Sequence, residues 1–323
     1  MKKALVIGND EYKVHPLSCC VSDAASVHQL LERNGDASPN FAAKKYADLT
    51  SGDIEYHIKE LFDGCDDIAL LYYAGHGCCS SCSCGIVGTD GTVVPMDYIM
   101  AAASNSKHRN KILIFDSCFS GAAGNLSCDL FGYNQIVSAL APGITIMAAC
   151  RADQTAEEAA QLRHGVFTSL LVEALQGGAA NLQGDITPGA IYAYVDRCLG
   201  PWQQRPVFKT NVDSFCPIRS IAPPIDAAIL RKIPEYFTEA SSEFPLDPSY
   251  EYTNKPSYEH RLLEPYADPR NVDKFKDLQK LTSVGLVKPI DAEHMYYAAM
   301  NSKSCKLTAL GGFYWQLVKE GKI

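Results

Sequence analysis

Short, nearly unbroken apolar runs alternate with stretches of helical periodicity through the first two-thirds of the chain. The run Ala4, Leu5, Val6, Ile7 predicts a strand, and Ala25, Val27, Leu30 and Leu31 then recur at helical spacing, predicting a helix over residues 22–31. A second helix is predicted over residues 53–62, entered through Ser51 and Asp53, residue types that cap helix N-termini. Residues 68–74, 111–115 and 144–149 read as buried strands, and residues 165–175 and 188–199 as later helices. Strands apolar on both faces and separated by helices imply a mostly parallel sheet with helices on both sides, an α/β fold.

The pattern changes near Ser220. Residues 221–269 are rich in proline, tyrosine and acidic residues, and are expected to form an irregular connecting segment lying across a folded surface. Regularity returns from residue 270. A helix is expected over residues 272–281, a turn into a strand over 285–289, a strand over 294–299 and a helix over 307–318. With residues 294–299 as the wing, this order looks like a small α+β winged-helix domain. Three parts are therefore expected: a first domain over 1–220, the connecting segment, and a winged-helix-like domain over 270–323.

Composition narrows the class. Of the 323 residues, 47% are hydrophobic and 20% charged, which suits a globular protein and excludes global disorder. A formal net charge of −8 argues against a dedicated nucleic-acid binder. The last part carries a small basic excess, so protein docking or regulation is favoured there over nucleic acid. Lys2 and Lys3 resemble the start of a signal peptide, but the apolar run behind them ends at Gly8, short of the ~7–15 residues required. Nothing approaches the ~20 apolar residues of a membrane span, so no membrane is expected and the cytoplasm is the expected compartment. The 13 cysteines are an odd number, and reduced thiols are expected.

Two of the predicted strands end in reactive residues. One runs into Gly75-His76-Gly77, the other into Asp116-Ser117-Cys118. In open parallel sheets ligands bind beyond the carboxyl ends of the strands, so both side chains are expected in one crevice. A thiol there needs a base to become a nucleophile, and imidazole supplies it. Alone, a histidine in a glycine-rich turn or one cysteine among many is more often structural. Joint placement at two strand ends favours a Cys-His dyad. The amides of Gly77 and Cys118 are candidates for an oxyanion hole, because glycine lets the backbone approach a carbonyl closely.

The motifs Tyr72-Tyr73-Ala74-Gly75-His76-Gly77 and Asp116-Ser117-Cys118-Phe119-Ser120-Gly121 resemble the two active-site motifs of metacaspases and related bacterial caspase-like peptidases. Leu5-Val6-Ile7-Gly8-Asn9, residues 17–23, residues 148–154 and Gly165-Val166-Phe167-Thr168 extend the resemblance over about residues 1–220. It implies a caspase-hemoglobinase fold with about six strands. It also implies attack by Cys118 on a scissile carbonyl through a thioester, with His76 protonating the leaving amine and then activating water. Asp23 and Asp116 match acidic positions that select Arg or Lys before the cut, so a polypeptide with a basic P1 residue is the implied substrate. Ala74 stands where many relatives have serine, which removes a hydrogen bond from that pocket. Nothing in the sequence identifies a third residue that orients the histidine.

Several readings stay open. Another P1 specificity, or regulation through nucleic-acid binding by the last domain, are the alternatives to an Arg/Lys endopeptidase. The family association also suggests a role in bacterial cell death or defence. No cofactor is required by the dyad and no metal ligand set is assigned. Metacaspases often need calcium, and Asp90, Asp97 and Asp129 lie in suitable loops without matching the family's ligands. The cluster Cys78, Cys79, Cys82 and Cys84 beside His76 is read as a small-residue loop of reduced thiols, ahead of a zinc site or a redox gate. Residues 119–150 hold no Lys or Arg, so an acidic pocket would exclude self-cleavage there and point to Arg151, Arg163, Arg219 or Arg231-Lys232 instead.

Overall fold

The computed structural model describes residues 1–79, 84–118, 140–149, 165–199, 206–258 and 262–323, with Cys79 and Cys118 described in their backbone alone. The chain divides into two compact units, Met1–Ala222 and Pro223–Ile323.

The first unit begins with β1 (Lys2–Gly8), α1 (Cys20–Glu32), β2 (Ala42–Ala47), α2 (Ser51–Phe62) and β3 (Ile68–Cys79). A small antiparallel excursion follows, β4 (Cys84–Val87) and β5 (Val93–Pro95), then α3 (Met96–Asn105), β6 (Asn110–Cys118) and β7 (Ile144–Ala148). The remainder comprises α4 (Val166–Glu173), β8 (Asp185–Ile186), α5 (Pro188–Leu199), β9 (Val207–Asn211) and β10 (Arg219–Ser220). The main sheet runs β2-β1-β3-β6-β7-β9, with β4 paired to β3 and β5 to β4. All neighbours from β2 to β7 are parallel, and β9 closes the edge antiparallel.

Period-two alternation sorts the strand side chains onto two cores. Val6, Leu70, Tyr72, Ile112 and Ile114 pack with Val27 and Leu31 of α1, Leu171 of α4 and Ile191 of α5. Ile7, Leu71, Tyr73, Leu113 and Phe115 pack on the other side with Ile54 and Ile58 of α2 and Ile99 of α3. The near-continuous apolar strands are thus explained by burial on both faces. Helix α2 is capped by Thr50, whose hydroxyl accepts from the Asp53 amide, rather than by Ser51 or Asp53 as the sequence suggested.

The second unit contains α6 (Ala227–Arg231), α7 (Ile233–Tyr236), β11 (Glu243–Pro245), α8 (Pro269–Ser283), β12 (Val287–Ile290), α9 (Met295–Met300), β13 (Ser304–Leu307) and α10 (Ala309–Lys319). Its sheet is antiparallel in the order β11-β13-β12. The expected wing at residues 294–299 is instead α9, which buries Met295, Ala298 and Ala299 at helical spacing. Residues 223–268 belong to this unit rather than forming a separate connection. Their aromatic residues anchor them: Phe237 is fully buried, its carbonyl accepts from Trp315 Nε1 at 2.7 Å, and Tyr250 stacks edge-on against Phe275 of α8. Lys232 and Tyr236 both reach Asp277 of α8 at 2.7 Å.

Candidate active site

Strands β3 and β6 lie side by side, and their parallel register pairs Ala74 with Asp116, Gly75 with Ser117, and His76 with Cys118. The two residues expected to form the dyad are therefore backbone neighbours at the carboxyl ends of adjacent strands. The Cys118 side chain lies outside the described residues. Gly77 continues β3 opposite Ile86 of β4.

His76 is held from several directions. Its backbone N–H donates to the Tyr12 hydroxyl at 3.0 Å, and its carbonyl accepts from the Tyr73 hydroxyl at 3.0 Å. The Tyr12 ring lies against the imidazole, with centroids 4.4 Å apart and planes tilted by 56°. Nε2 sits 2.6 Å from the carbonyl oxygen of His15. A carbonyl only accepts, so Nε2 carries the proton, and in the neutral ring Nδ1 is the basic nitrogen. Gly75 is required by crowding: a Cβ there would lie 2.5 Å from the Tyr73 hydroxyl and 2.6 Å from that of Tyr12.

The chain that carries His15 is fastened to the sheet. Asn9 donates its N–H to the Ala74 carbonyl at 3.0 Å and exchanges side-chain hydrogen bonds with the backbone of Leu49. Asp10 accepts from the amides of Cys20 and Val21 at 2.9 and 3.0 Å, placing a carboxylate on the first turn of α1 where the helix dipole favours it. Asp48 in turn accepts from the amides of Asp10 and Glu11. His15 takes a left-handed conformation, φ 57°.

The two acidic candidates are both buried, Asp23 at 2% exposure and Asp116 at 4%. Asp116 accepts from the Thr168 hydroxyl at 2.6 Å, and Asp23 from the Gly165 amide at 3.3 Å. The Tyr72 hydroxyl lies 2.6 Å from Thr168 Oγ1. Burial drives the Tyr72 phenol far above its ordinary pKa, and the carboxylates of Asp116 and Asp23 push it further the same way. Ala74 is buried in the core that contains Tyr72. His15, Tyr12, Tyr72 and Thr168 carry contacts that sequence reasoning had not assigned. Thr168 stood within a recognised motif, but nothing local pointed it at Asp116.

Other expectations meet the structure unevenly. Cys84 is disulfide-bonded, which corrects the expectation of a reduced thiol at that residue, whereas Cys78 is free as expected. Cys82, Asp129, Arg151, Arg163 and residues 119–139 lie outside the described residues. Asp90 accepts from the Ser51 and Thr92 amides and the Ser51 hydroxyl, and Asp97 lies in the first turn of α3. Among the described residues no three His, Cys, Asp or Glu side chains converge as a metal site would require. A separate cavity of about 460 Å³ between β1, β2 and α2, lined by residues including Leu5, Lys44 and His57, contains neither the dyad nor the acidic pair. No described helix is long and apolar enough to cross a membrane.

Residues 1–213 match the sequence model of a family described as "Caspase domain". No curated protein matches the chain. Among solved structures, a protein from Geobacter sulfurreducens is similar with a TM-score of 0.51 and 16% identity, over 68% of this chain and 99% of that one. Caspase-1 from Spodoptera frugiperda gives a TM-score of 0.49 and 13% identity, over 68% of this chain and 90% of that one.

Proposed function

The chain belongs to the caspase-domain family of cysteine peptidases, and we propose that it is an endopeptidase cutting after Arg or Lys with Cys118 as nucleophile and His76 as acid–base. The observation that carries this reading is the backbone pairing of His76 with Cys118 at the ends of adjacent parallel strands. The hydrogen bond from Nε2 to the His15 carbonyl supports it, because it keeps Nδ1 as the nitrogen that exchanges a proton.

In this reading the Cys118 thiol gives its proton to His76 and its sulfur adds to the scissile carbonyl carbon. The Gly77 and Cys118 amides donate to the oxygen as it gains negative charge. His76 passes the proton to the leaving nitrogen, the C–N bond breaks, and a thioester remains. Water then attacks the thioester as His76 takes its proton, and the restored thiol leaves with it.

Specificity follows from charge. Asp23 and Asp116 are buried carboxylates bonded to residues of one helical turn, Asp23 to the Gly165 amide and Asp116 to the Thr168 hydroxyl. A guanidinium or ammonium on the substrate compensates such a pair through charge-assisted hydrogen bonds, whereas an acidic side chain is repelled. The second unit lies outside the family match, and we assign it a docking or regulatory role.

The test is digestion of a peptide library by the full chain and by Cys118→Ala, with and without calcium. Cuts after Arg and Lys that vanish in the variant support the reading. Cuts that persist in Cys118→Ala, or that follow other residues, would sink it.

A further inference from the structure

The acidic pair is gripped by a single turn of helix. Gly165 and Thr168 open α4, and the Gly165 amide reaches Asp23 while the Thr168 hydroxyl reaches Asp116. Asp23 comes from α1 and Asp116 from the end of β6, so α4 ties together two elements that share no local sequence. Thr168 is itself fully buried, as is Tyr72.

The direction of the hydrogen bonds follows from counting protons. Thr168 has one hydroxyl proton, and it goes to the Asp116 carboxylate. The 2.6 Å contact between Thr168 and Tyr72 therefore has Tyr72 as donor. Tyr72 remains protonated, since burial and the two carboxylates all oppose its ionisation. The result is a chain in which Tyr72 donates to Thr168 and Thr168 donates to Asp116. Hydrogen bonds in such a chain polarise one another, which strengthens the terminal bond and fixes the orientation of the carboxylate it serves.

We infer that Thr168, backed by Tyr72, is a positioning residue for substrate selection: it fixes the Asp116 carboxylate in the orientation that receives a basic P1 side chain. This rests on the reading of Asp23 and Asp116 as the P1 pocket. Neither Thr168 nor Tyr72 touches the reacting atoms in this scheme. Their removal should weaken recognition of the cation and leave the chemical step alone. The role also links P1 recognition to the placement of α4.

The experiment compares the full chain with Thr168→Val, Thr168→Ser, Tyr72→Phe and Asp116→Asn. Each is assayed on paired peptides with Arg or its uncharged isostere citrulline at P1. Valine keeps the shape of threonine without its hydroxyl. The expected result for Thr168→Val is a KM for the Arg peptide raised about tenfold, with kcat changed less than about twofold and the citrulline peptide unaffected. Thr168→Ser should restore wild-type KM, and Tyr72→Phe should shift KM in the same direction by less. Circular dichroism confirms folding. If Thr168→Val does not fold, Tyr72→Phe and Thr168→Ser decide the matter alone. Wild-type KM in Thr168→Val or, should that variant not fold, in Tyr72→Phe, while Asp116→Asn loses Arg selection, overturns the relay and leaves the pocket standing. Unchanged Arg selection in Asp116→Asn removes the pocket, and the relay with it. A fall in kcat on both peptides assigns Thr168 to general structure and likewise overturns the proposal.

Discussion

The Nε2–H of His76 donates to the carbonyl oxygen of His15 at 2.6 Å. The acceptor is a backbone atom, and its position depends on the left-handed conformation of His15, φ 57°. Changing the side chain at 15 therefore acts on the imidazole through the backbone. Asn and Gly tolerate this conformation, whereas a β-branched residue is strained there by ~1–3 kcal/mol. His15→Gly should keep kcat within about twofold of wild type. His15→Val should lower kcat about tenfold with little change in KM, as steady-state kinetics would reveal. Equal activity in the two variants would mean that this carbonyl does not orient the base.

The Tyr12 and Tyr73 hydroxyls are hydrogen-bonded to each other at 3.0 Å and both bond the backbone of His76. A methyl group at Gly75 would press on both oxygens, and neither buried phenol can swing into solvent. Gly75→Ala is expected to lower stability by ~1–3 kcal/mol and to reduce kcat, because the displaced tyrosines release His76. Thermal unfolding and kcat should be measured on the same preparation. A variant with wild-type melting and turnover would show that the packing around His76 is loose.

Ser117 precedes the nucleophile, and its buried Oγ has no hydrogen-bond partner among the described residues. A buried hydroxyl without a partner costs ~1–3 kcal/mol relative to an apolar replacement. Ser117→Ala should raise the unfolding free energy by about 1 kcal/mol and leave kcat/KM unchanged. Destabilisation in a denaturant titration would reveal a partner for this hydroxyl.

How much of this was legible beforehand varies with the range of the interaction. The strands ending in His76 and Cys118 were readable because both-face burial writes continuous apolar runs into the sequence. The rule for ligands at strand ends put both residues at one crevice, and the register makes them backbone neighbours. The contact of Thr168 with Asp116 was not readable, since it joins residues 52 positions apart through one hydroxyl. The His15 carbonyl leaves no residue-type signature at all. Over residues 223–268 the proline-rich, irregular pattern predicts a connection, although Phe237 and Leu246 are buried within the second unit. The helix Met295–Met300 reads equally as a wing strand, because a six-residue apolar run fits either period.

Cys305 lies on the central strand of the second unit's sheet and is fully buried. Burial pushes its thiol from the ordinary range up to about 12. In the unfolded chain the same thiol ionises near ~8.5. Between these values the unfolded state has lost the proton and the folded state has kept it. The unfolded state thus binds fewer protons, and stability falls as pH rises through this window, by at most about 1.4 kcal/mol per pH unit. Below the lower value the contribution is fully present and flat. Cys305→Ala removes the titrating group, so its stability should decline less steeply between about pH 9 and 12 than that of wild type. Its stability at neutral pH should still be lower, since the substitution leaves a small cavity. Denaturant unfolding of both proteins across this range measures the difference in slope. Parallel curves would mean that the Cys305 thiol ionises equally in the two states, and that the sheet does not exclude water from it.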